Sequence, residues 1–179
     1  MVTGSHPSAV PAHSTDPAAG PLHLIQSFAN TLSSDPDADR LATREEAAAW
    51  LRSAALLPAE AGLSNSEHAA LLRLRTSIRD VLAAHTAGRA AGAAAARLTK
   101  ALADGRLVVT VDPAGTVQLA TAARASYPNL VAAIAIAVAG SAASGTWLRL
   151  KSCAAPRCGQ AFHDTSAPSA ATRCPRHTP

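Results

Sequence analysis

Aromatic side chains are almost missing from this chain: two phenylalanines, two tryptophans and one tyrosine among 179 residues, 3% of the total. The core must then be built from Leu, Val, Ile and Ala, which suits closely approaching helices better than a β-sandwich and makes a mainly α fold the expectation. Also missing is any uninterrupted apolar run long enough to cross a bilayer, and the chain does not open on a charged segment followed by an apolar core and a cleavage site. We therefore expect a cytoplasmic protein with no membrane association. There is no glycine-rich phosphate loop, no pair of acids at helical spacing beside a histidine and no nucleophilic serine elbow. The sequence thus names no catalytic residue, and no enzyme is expected. Cysteine is scarce as well, and its number, three, is odd. Where thiols stay reduced, such a cluster points to metal more than to a disulfide.

All three cysteines fall in the last thirty-three residues, Trp147 to Pro179. Four residues separate Cys153 from Cys158, fifteen more lead to Cys174, and two more to His177. Two ligand pairs thus flank a loop long enough to fold back on itself, the spacing by which four soft or borderline donors surround a zinc ion. Pro156, Arg157 and Gly159 beside the first pair suit a ligand knuckle better than a core strand or helix. The alternative is that the thiols are small buried apolar groups without metal. His163, five residues after Cys158, competes for the fourth position; His177 is preferred because its pair mirrors the first across the loop. Net charge divides at the same place. From Trp147 onward Arg149, Lys151, Arg157, Arg173 and Arg176 stand against Asp164 alone, so the tail carries the chain's whole +4 while the rest holds eleven basic and eleven acidic residues. A local basic patch is what attraction to phosphate requires, and these five cations are the candidate nucleic-acid contacts. The plainer reading is that they keep a small tail solvated.

Residues 1–20, with Pro7, Pro11 and Pro17 among small and polar side chains, are expected to form a disordered leader. Helical spacing begins at Leu22 and continues through Ile25, Phe28, Ala29 and Leu32, with Pro21 in the first turn. This helix is expected to end near Ser33, ahead of a polar turn over Asp35–Asp39; Asn30 reads as a cap or a buried hydrogen-bonding group. Thr43-Arg-Glu-Glu46 and Ser64-Asn-Ser-Glu67 are capping boxes. The first opens a helix with Trp50 and Leu51 on its inner face, and the second opens the longest amphipathic run, Ala70, Leu71, Leu74, Ile78, Val81, Leu82 and His85. Arg73, Arg75 and Arg79 fall off that stripe and are expected to face solvent among Glu67 and Asp80. A further helix is expected over Ala93–Ala103. Leu107–Val111 and Thr116–Ala120, joined by Asp-Pro-Ala-Gly, predict one β-hairpin. Leu130–Ala139, apolar on all sides, predicts a central buried helix interrupted at Gly140 and Ser141, with a homodimer interface as the alternative use of its surface.

The run from Leu150 through Cys153, Cys158, Phe162, Asp164, Thr165 and Ser166, closing on Arg173-Cys174, resembles the CGNR-type zinc finger that ends a family of bacterial proteins carrying an N-terminal ABATE domain. Phe28-x-Asn30-Thr31 and Trp50-Leu51 resemble motifs of that domain. The resemblance covers most of the chain, and its specific motifs lie at the two ends. The chain departs from the family pattern after the third cysteine, where Pro175-Arg176-His177-Thr178-Pro179 stands in place of a Cys-Gly-Asn-Arg and a basic tail. The resemblance implies a helical body with one β-hairpin over residues 21–146 and a small treble-clef-like zinc-finger appendage over residues 147–179. It further implies a bacterial transcription regulator that binds zinc (Zn2+), with Cys153, Cys158 and Cys174 at matching positions, and contacts DNA through the basic finger; His177 as the fourth ligand rests on the spacing alone. The other reading keeps the metal as a staple in a protein-interaction or small-molecule sensor module that makes no DNA contact.

Overall fold

The computed structural model of the protein describes residues 19–32, 38–122 and 127–178. The expected leader lies outside these residues except for Ala19 and Gly20, and so does most of the expected turn at 35–39. Five α-helices, two antiparallel hairpins and one 3-10 turn make up the described chain. Helix α1 spans Ala19–Ala29, α2 Arg44–Ser53, α3 Asn65–Thr86, α4 Ala93–Leu102 and α5 Tyr127–Ala143. Strands β1 (Leu107–Val111) and β2 (Val117–Thr121) form the first hairpin, and β3 (Leu150–Ser152) and β4 (Ala161–His163) the second.

Two helix starts are set by the capping boxes. The Thr43 hydroxyl accepts from the Glu46 N–H at 3.2 Å while the Glu46 carboxylate accepts from the Thr43 N–H at 2.9 Å. Ser64 and Glu67 repeat the exchange at 3.2 and 2.8 Å. Each box satisfies backbone donors that a helix start otherwise leaves open, worth about 1 kcal/mol apiece. Helix α1 begins at Ala19, before the expected start, and ends at Ala29, so Asn30 and Thr31 lie in a turn.

Ile25 and Phe28 of α1, Leu51 of α2, Leu71, Leu74, Ile78 and Leu82 of α3, and Leu130, Val131 and Ile134 of α5 form one core. Phe28 and Trp50 meet there with ring centroids 5.7 Å apart. Helix α5 is thus a core helix, and it does not break at Gly140 and Ser141. Ser141 is buried, its hydroxyl donates to the Ala137 carbonyl at 2.7 Å, and the helix runs on to Ala143. Burial of the apolar face outweighs the roughly 1 kcal/mol that one glycine costs a helix. Gly105, after α4, passes so close to α5 that a Cβ there would lie 2.9 Å from the Ala132 nitrogen.

The arginines of α3 correct the sequence reading. Arg73 is exposed as expected, but Arg75 is 5% exposed and pairs with Asp39 through two hydrogen bonds of 2.5 and 2.8 Å. Arg79 is half-buried and donates to the Ala29 and Leu32 carbonyls at 2.8 and 3.3 Å, closing the end of α1. Spacing along α3 placed these two off its apolar stripe; the loop after α1 covers that flank and turns them into interior donors. Asp80 pairs with Arg97 of α4 at 2.7 Å, not with an arginine of its own helix.

Candidate metal centre and its attachment to the body

Hairpin β3–β4 delivers the first two cysteines. Its register, Leu150 with His163 and Ser152 with Ala161, is extended by the Cys153 N–H donating to the Gln160 carbonyl at 2.8 Å. Cys153 therefore leaves the hairpin at a fixed place, and the chain turns back over five residues. Arg157 (φ +62°) and Gly159 (φ +56°) both take the left-handed conformation needed to flank Cys158 tightly. The arm carrying Cys174 is fastened by the Ala154 N–H donating to the Thr172 carbonyl at 2.8 Å. One further turn, with the His177 N–H on the Cys174 carbonyl at 2.8 Å, brings the imidazole over the thiols.

Four ligand atoms converge. Sγ of Cys158 and Cys174 lie 3.9 Å apart, and His177 Nδ1 lies 3.7 Å from Cys153 Sγ and 3.4 Å from Cys174 Sγ. All four lie within 4.8 Å of one another, a set that could hold a metal ion. The cysteines are buried and His177 is exposed. His163, the rival fourth ligand, is not in this group: it ends β4, paired with Leu150, and its Nε2 is buried without a partner among the described residues. Burial pushes both Cys153 and Cys158 up; at Cys153 the backbone N–H groups of Cys174 and Ala155 outweigh it and draw the thiol below its usual value, while Cys158, crowded by the other sulfurs, stays raised.

A second centre, which spacing alone did not reveal, orders the loop between Cys158 and Cys174. Asp164 is 2% exposed. Its Oδ2 accepts from Lys151 Nζ at 2.6 Å, Ser169 Oγ at 2.9 Å and the Ala171 N–H at 3.0 Å. Its Oδ1 accepts from the Ser166 N–H at 2.9 Å and the Ser166 hydroxyl at 2.6 Å. Burial raises the Asp164 carboxyl, but these donors overcome it and hold the group well below the usual carboxylate range. Lys151 also donates to the Ser169 and Ala171 carbonyls, so its three N–H bonds are all used. Counted from sequence among the nucleic-acid contacts, Lys151 is an interior ion-pair partner, 5% exposed. Arg149 is half-buried and donates to the Asp164 and Ser166 carbonyls. Arg157, Arg173 and Arg176 are exposed, and Arg176 bonds the Gln160 side chain.

The tail is tied to the helices at four points. Leu150 and Ala161 are fully buried in the body's core. Asn30 holds the Ala161 backbone through two hydrogen bonds. The Thr86 hydroxyl at the end of α3 donates to the Ser152 carbonyl at 2.7 Å and accepts from its N–H at 2.9 Å. His85 donates through Nδ1 to the Leu150 carbonyl at 2.9 Å, with its ring edge-on to Trp147 at 5.1 Å. Burial, with the nearby Lys151 charge, lowers the His85 pKa against the Leu150 carbonyl, which raises it; a carbonyl partner requires the proton on Nδ1.

The family profile of ABATE, described as "Putative stress-induced transcription regulator", matches residues 22–145. The chain belongs to the ABATE family. Phe28, Asn30 and Thr31, one of the motifs that resembled it, have separate tasks: Phe28 packs in the core, Asn30 grips the tail, and the Thr31 hydroxyl donates to the Phe28 carbonyl and accepts from Arg75. The matched ABATE span ends before Trp147, so the metal-ligand cluster lies beyond it. ABATE is a regulator family by its description, not a family of enzymes. Among curated proteins none matches the chain. No described helix is long and apolar enough to cross a membrane.

Proposed function

We propose that this chain is a DNA-contacting transcription regulator whose tail holds one zinc ion between Cys153, Cys158, Cys174 and His177. The observation that carries this reading is the presence, in one small tail, of a compact three-thiol, one-imidazole set beside the exposed guanidinium groups of Arg157, Arg173 and Arg176. With Zn–S near ~2.3 Å and Zn–N near ~2.0 Å, a tetrahedron separates two sulfurs by about 3.8 Å and sulfur from nitrogen by about 3.5 Å. The spacings of 3.9, 3.7 and 3.4 Å fit those edges. All four positions are filled by protein, so the ion is structural and leaves no place for a reacting water. The resemblance to bacterial CGNR-type fingers supports the DNA contact and a cytoplasmic setting in which the thiols stay reduced.

The exposed arginines would meet phosphate oxygens and position the tail on a duplex without reading sequence. Fluorescence anisotropy with a labelled duplex at low salt tests this. Binding is expected, weakening with a log–log salt slope of about −2 to −3 for three neutralised phosphates, and changing Arg157, Arg173 and Arg176 together to alanine is expected to abolish it. Absence of binding to any duplex or single strand at low salt would sink the proposal.

Two observations favour a second reading, a protein-interaction or small-molecule sensor module. Two of the five tail cations, Arg149 and Lys151, are turned to internal acceptors. A cavity of about 600 Å³ also opens between α3, α4 and the start of α5, lined among others by Leu72, Arg73, Lys100, Ala101, Asp104 and Tyr127, a size that accepts a small ligand. Burial, with the Asp104 charge, pushes Tyr127 up to about 12, which keeps its hydroxyl protonated. A pull-down that returns a protein partner and no nucleic acid would select this reading.

A further inference from the structure

Hairpin β1–β2 presents its apolar face to water. In its register Val109 lies opposite Leu119, Val111 opposite Val117, and Leu107 opposite Thr121. Alternation then places Leu107, Val109, Val111, Val117 and Leu119, with Thr121 at the base, on one face and Val108, Thr110, Gln118 and Ala120 on the other. The first five are 45%, 65%, 64%, 65% and 47% exposed, and outside this hairpin Leu148 alone, among the described residues, is a large aliphatic left so open. Neither strand carries a charged residue of the kind that guards solvent-facing strands.

The hairpin is nonetheless well built. At its tip Asp112 Oδ1 accepts from the Ala114 and Thr116 N–H groups, each at 2.9 Å, and Gly115 supplies φ +84°. At its base the Arg106 N–H donates to the Pro128 carbonyl and the Ala122 N–H to the Arg106 carbonyl. Strand β2 runs along α5, which steadies the hairpin, while the face carrying the five aliphatics stays open, and a contiguous exposed apolar patch of this kind marks an interaction surface.

We propose that the cover is a second copy of this chain, the two hairpins stacking apolar face to apolar face about a two-fold axis. The face offers no charge, and its one hydrogen-bonding side chain is Thr121 at the base of the hairpin, so apolar complementarity dominates its chemistry. Among the described residues no other surface of the molecule matches it, so between two copies the matching patch is the patch itself, which is the condition for closed isologous pairing. From their exposures the five side chains offer roughly 500 Å² per copy, somewhat below the ~800 Å² per partner of a standard interface, so the expected dimer is a weak, reversible one. The other occupant within the chain, residues 1–18, has Met1, Val2 and Val10 as its large apolar side chains and three prolines among the rest, too little to cover five aliphatics. The pairing involves neither the metal ligands nor the tail arginines, so its failure leaves the proposed DNA contact untouched.

Sedimentation velocity on the full chain, from about 2 to about 200 μM, tests the proposal. A monomer–dimer equilibrium within that range is expected, and a species that stays monomeric throughout overturns it without any variant. Val109→Glu and Leu119→Glu alter side chains that face solvent in the monomer. Each is expected to weaken the dimer at least tenfold with the far-UV dichroism unchanged, whereas Gln118→Glu on the opposite face leaves it intact. A dimer that survives both substitutions, or one lost on removal of residues 1–18, overturns it equally.

Discussion

Asn30 binds the backbone of Ala161 as a neighbouring strand would: its Nδ2 donates to the Ala161 carbonyl at 2.9 Å and its Oδ1 accepts from the Ala161 N–H at 2.7 Å. The carboxamide is the one neutral side-chain group that offers a donor and an acceptor side by side, and Asn30 reaches across 131 positions of chain to do so. Ala161 is 1% exposed, so neither of its backbone groups can turn to water instead. Asn30→Ala is expected to cost about 2 kcal/mol in thermal or denaturant unfolding, the penalty of buried groups left unpaired. Asn30→Asp is expected to be worse at neutral pH, because a carboxylate oxygen then faces a carbonyl oxygen. An aspartate variant as stable as the parent would show that the clasp adds nothing.

Arg75 and Asp39 tie the turn after α1 to α3 and give stability a particular pH dependence. The Arg75 guanidinium holds the Asp39 carboxyl below its usual value of 3.8, against a burial that would raise it and with help from the Leu41 N–H. A carboxyl lowered on folding stabilises fully above its unfolded value and loses that contribution as pH falls through the lower folded value. Asp39→Asn is therefore expected to cost about 3 kcal/mol at pH 7, as for other broken buried pairs. The gap from the parent should narrow once the pH drops below about 4. Urea unfolding of both proteins between pH 3 and pH 7 measures it.

Metal removal is expected to act on one part of the tail. Cys158→Ser and His177→Ala should each lower the metal content of the purified protein, read by mass spectrometry against a parent value near one zinc per chain, while His163→Ala should leave it unchanged. Without metal the arm carrying Cys174 and His177 should exchange its amide hydrogens quickly. Strands β3 and β4 should stay protected, because the body holds them through Asn30, Thr86 and His85. Equal loss of protection over residues 150–163 and 172–178 would mean that the metal orders the whole tail.

Lys151 and Arg173 should separate stability from phosphate contact. Lys151→Ala strips the buried Asp164 carboxylate of its cation and is expected to destabilise the tail by about 3 kcal/mol. Arg173→Ala, at an exposed position, should leave melting within about 0.5 kcal/mol of the parent and weaken duplex binding at low salt. The reverse pattern would return Lys151 to the phosphate-facing set.

Gly159 should accept a side chain only at a cost. Its φ of +56° strains any other residue, and a Cβ there would lie 2.7 Å from an Arg79 guanidinium nitrogen. Gly159→Ala is expected to cost about 1–2 kcal/mol for the conformation alone and to weaken metal retention, since the residue directly follows Cys158. Arg79→Ala in the same chain should relieve the clash and leave the conformational cost, which a comparison of the single and double variants by thermal unfolding resolves.

Much of this protein is determined locally and was legible in the sequence. Capping boxes at Thr43 and Ser64 act over three residues, the Asp112–Gly115 turn over four, and the 3.6-residue spacing of Ile25, Leu74 or Ile134 needs no knowledge of what lies opposite. The convergence of Cys153, Cys158, Cys174 and His177 was legible for the same reason, because two short-range pairs bring their own geometry. Whether His163 or His177 joins the cluster was not, since both are close enough along the chain; the β3–β4 register faces His163 against Leu150, and His177 lies with the thiols. The tertiary structure likewise decided the fate of the charges. Arg75, Arg79 and Lys151 sit where local pattern points to solvent, and they turn inward, as does Asp164, because segments distant in sequence close over them. A buried charge is stable only with its partners in place, and those partners, Asp39 for Arg75 and the Asp164 carboxylate for Lys151, are chosen by how the chain folds back.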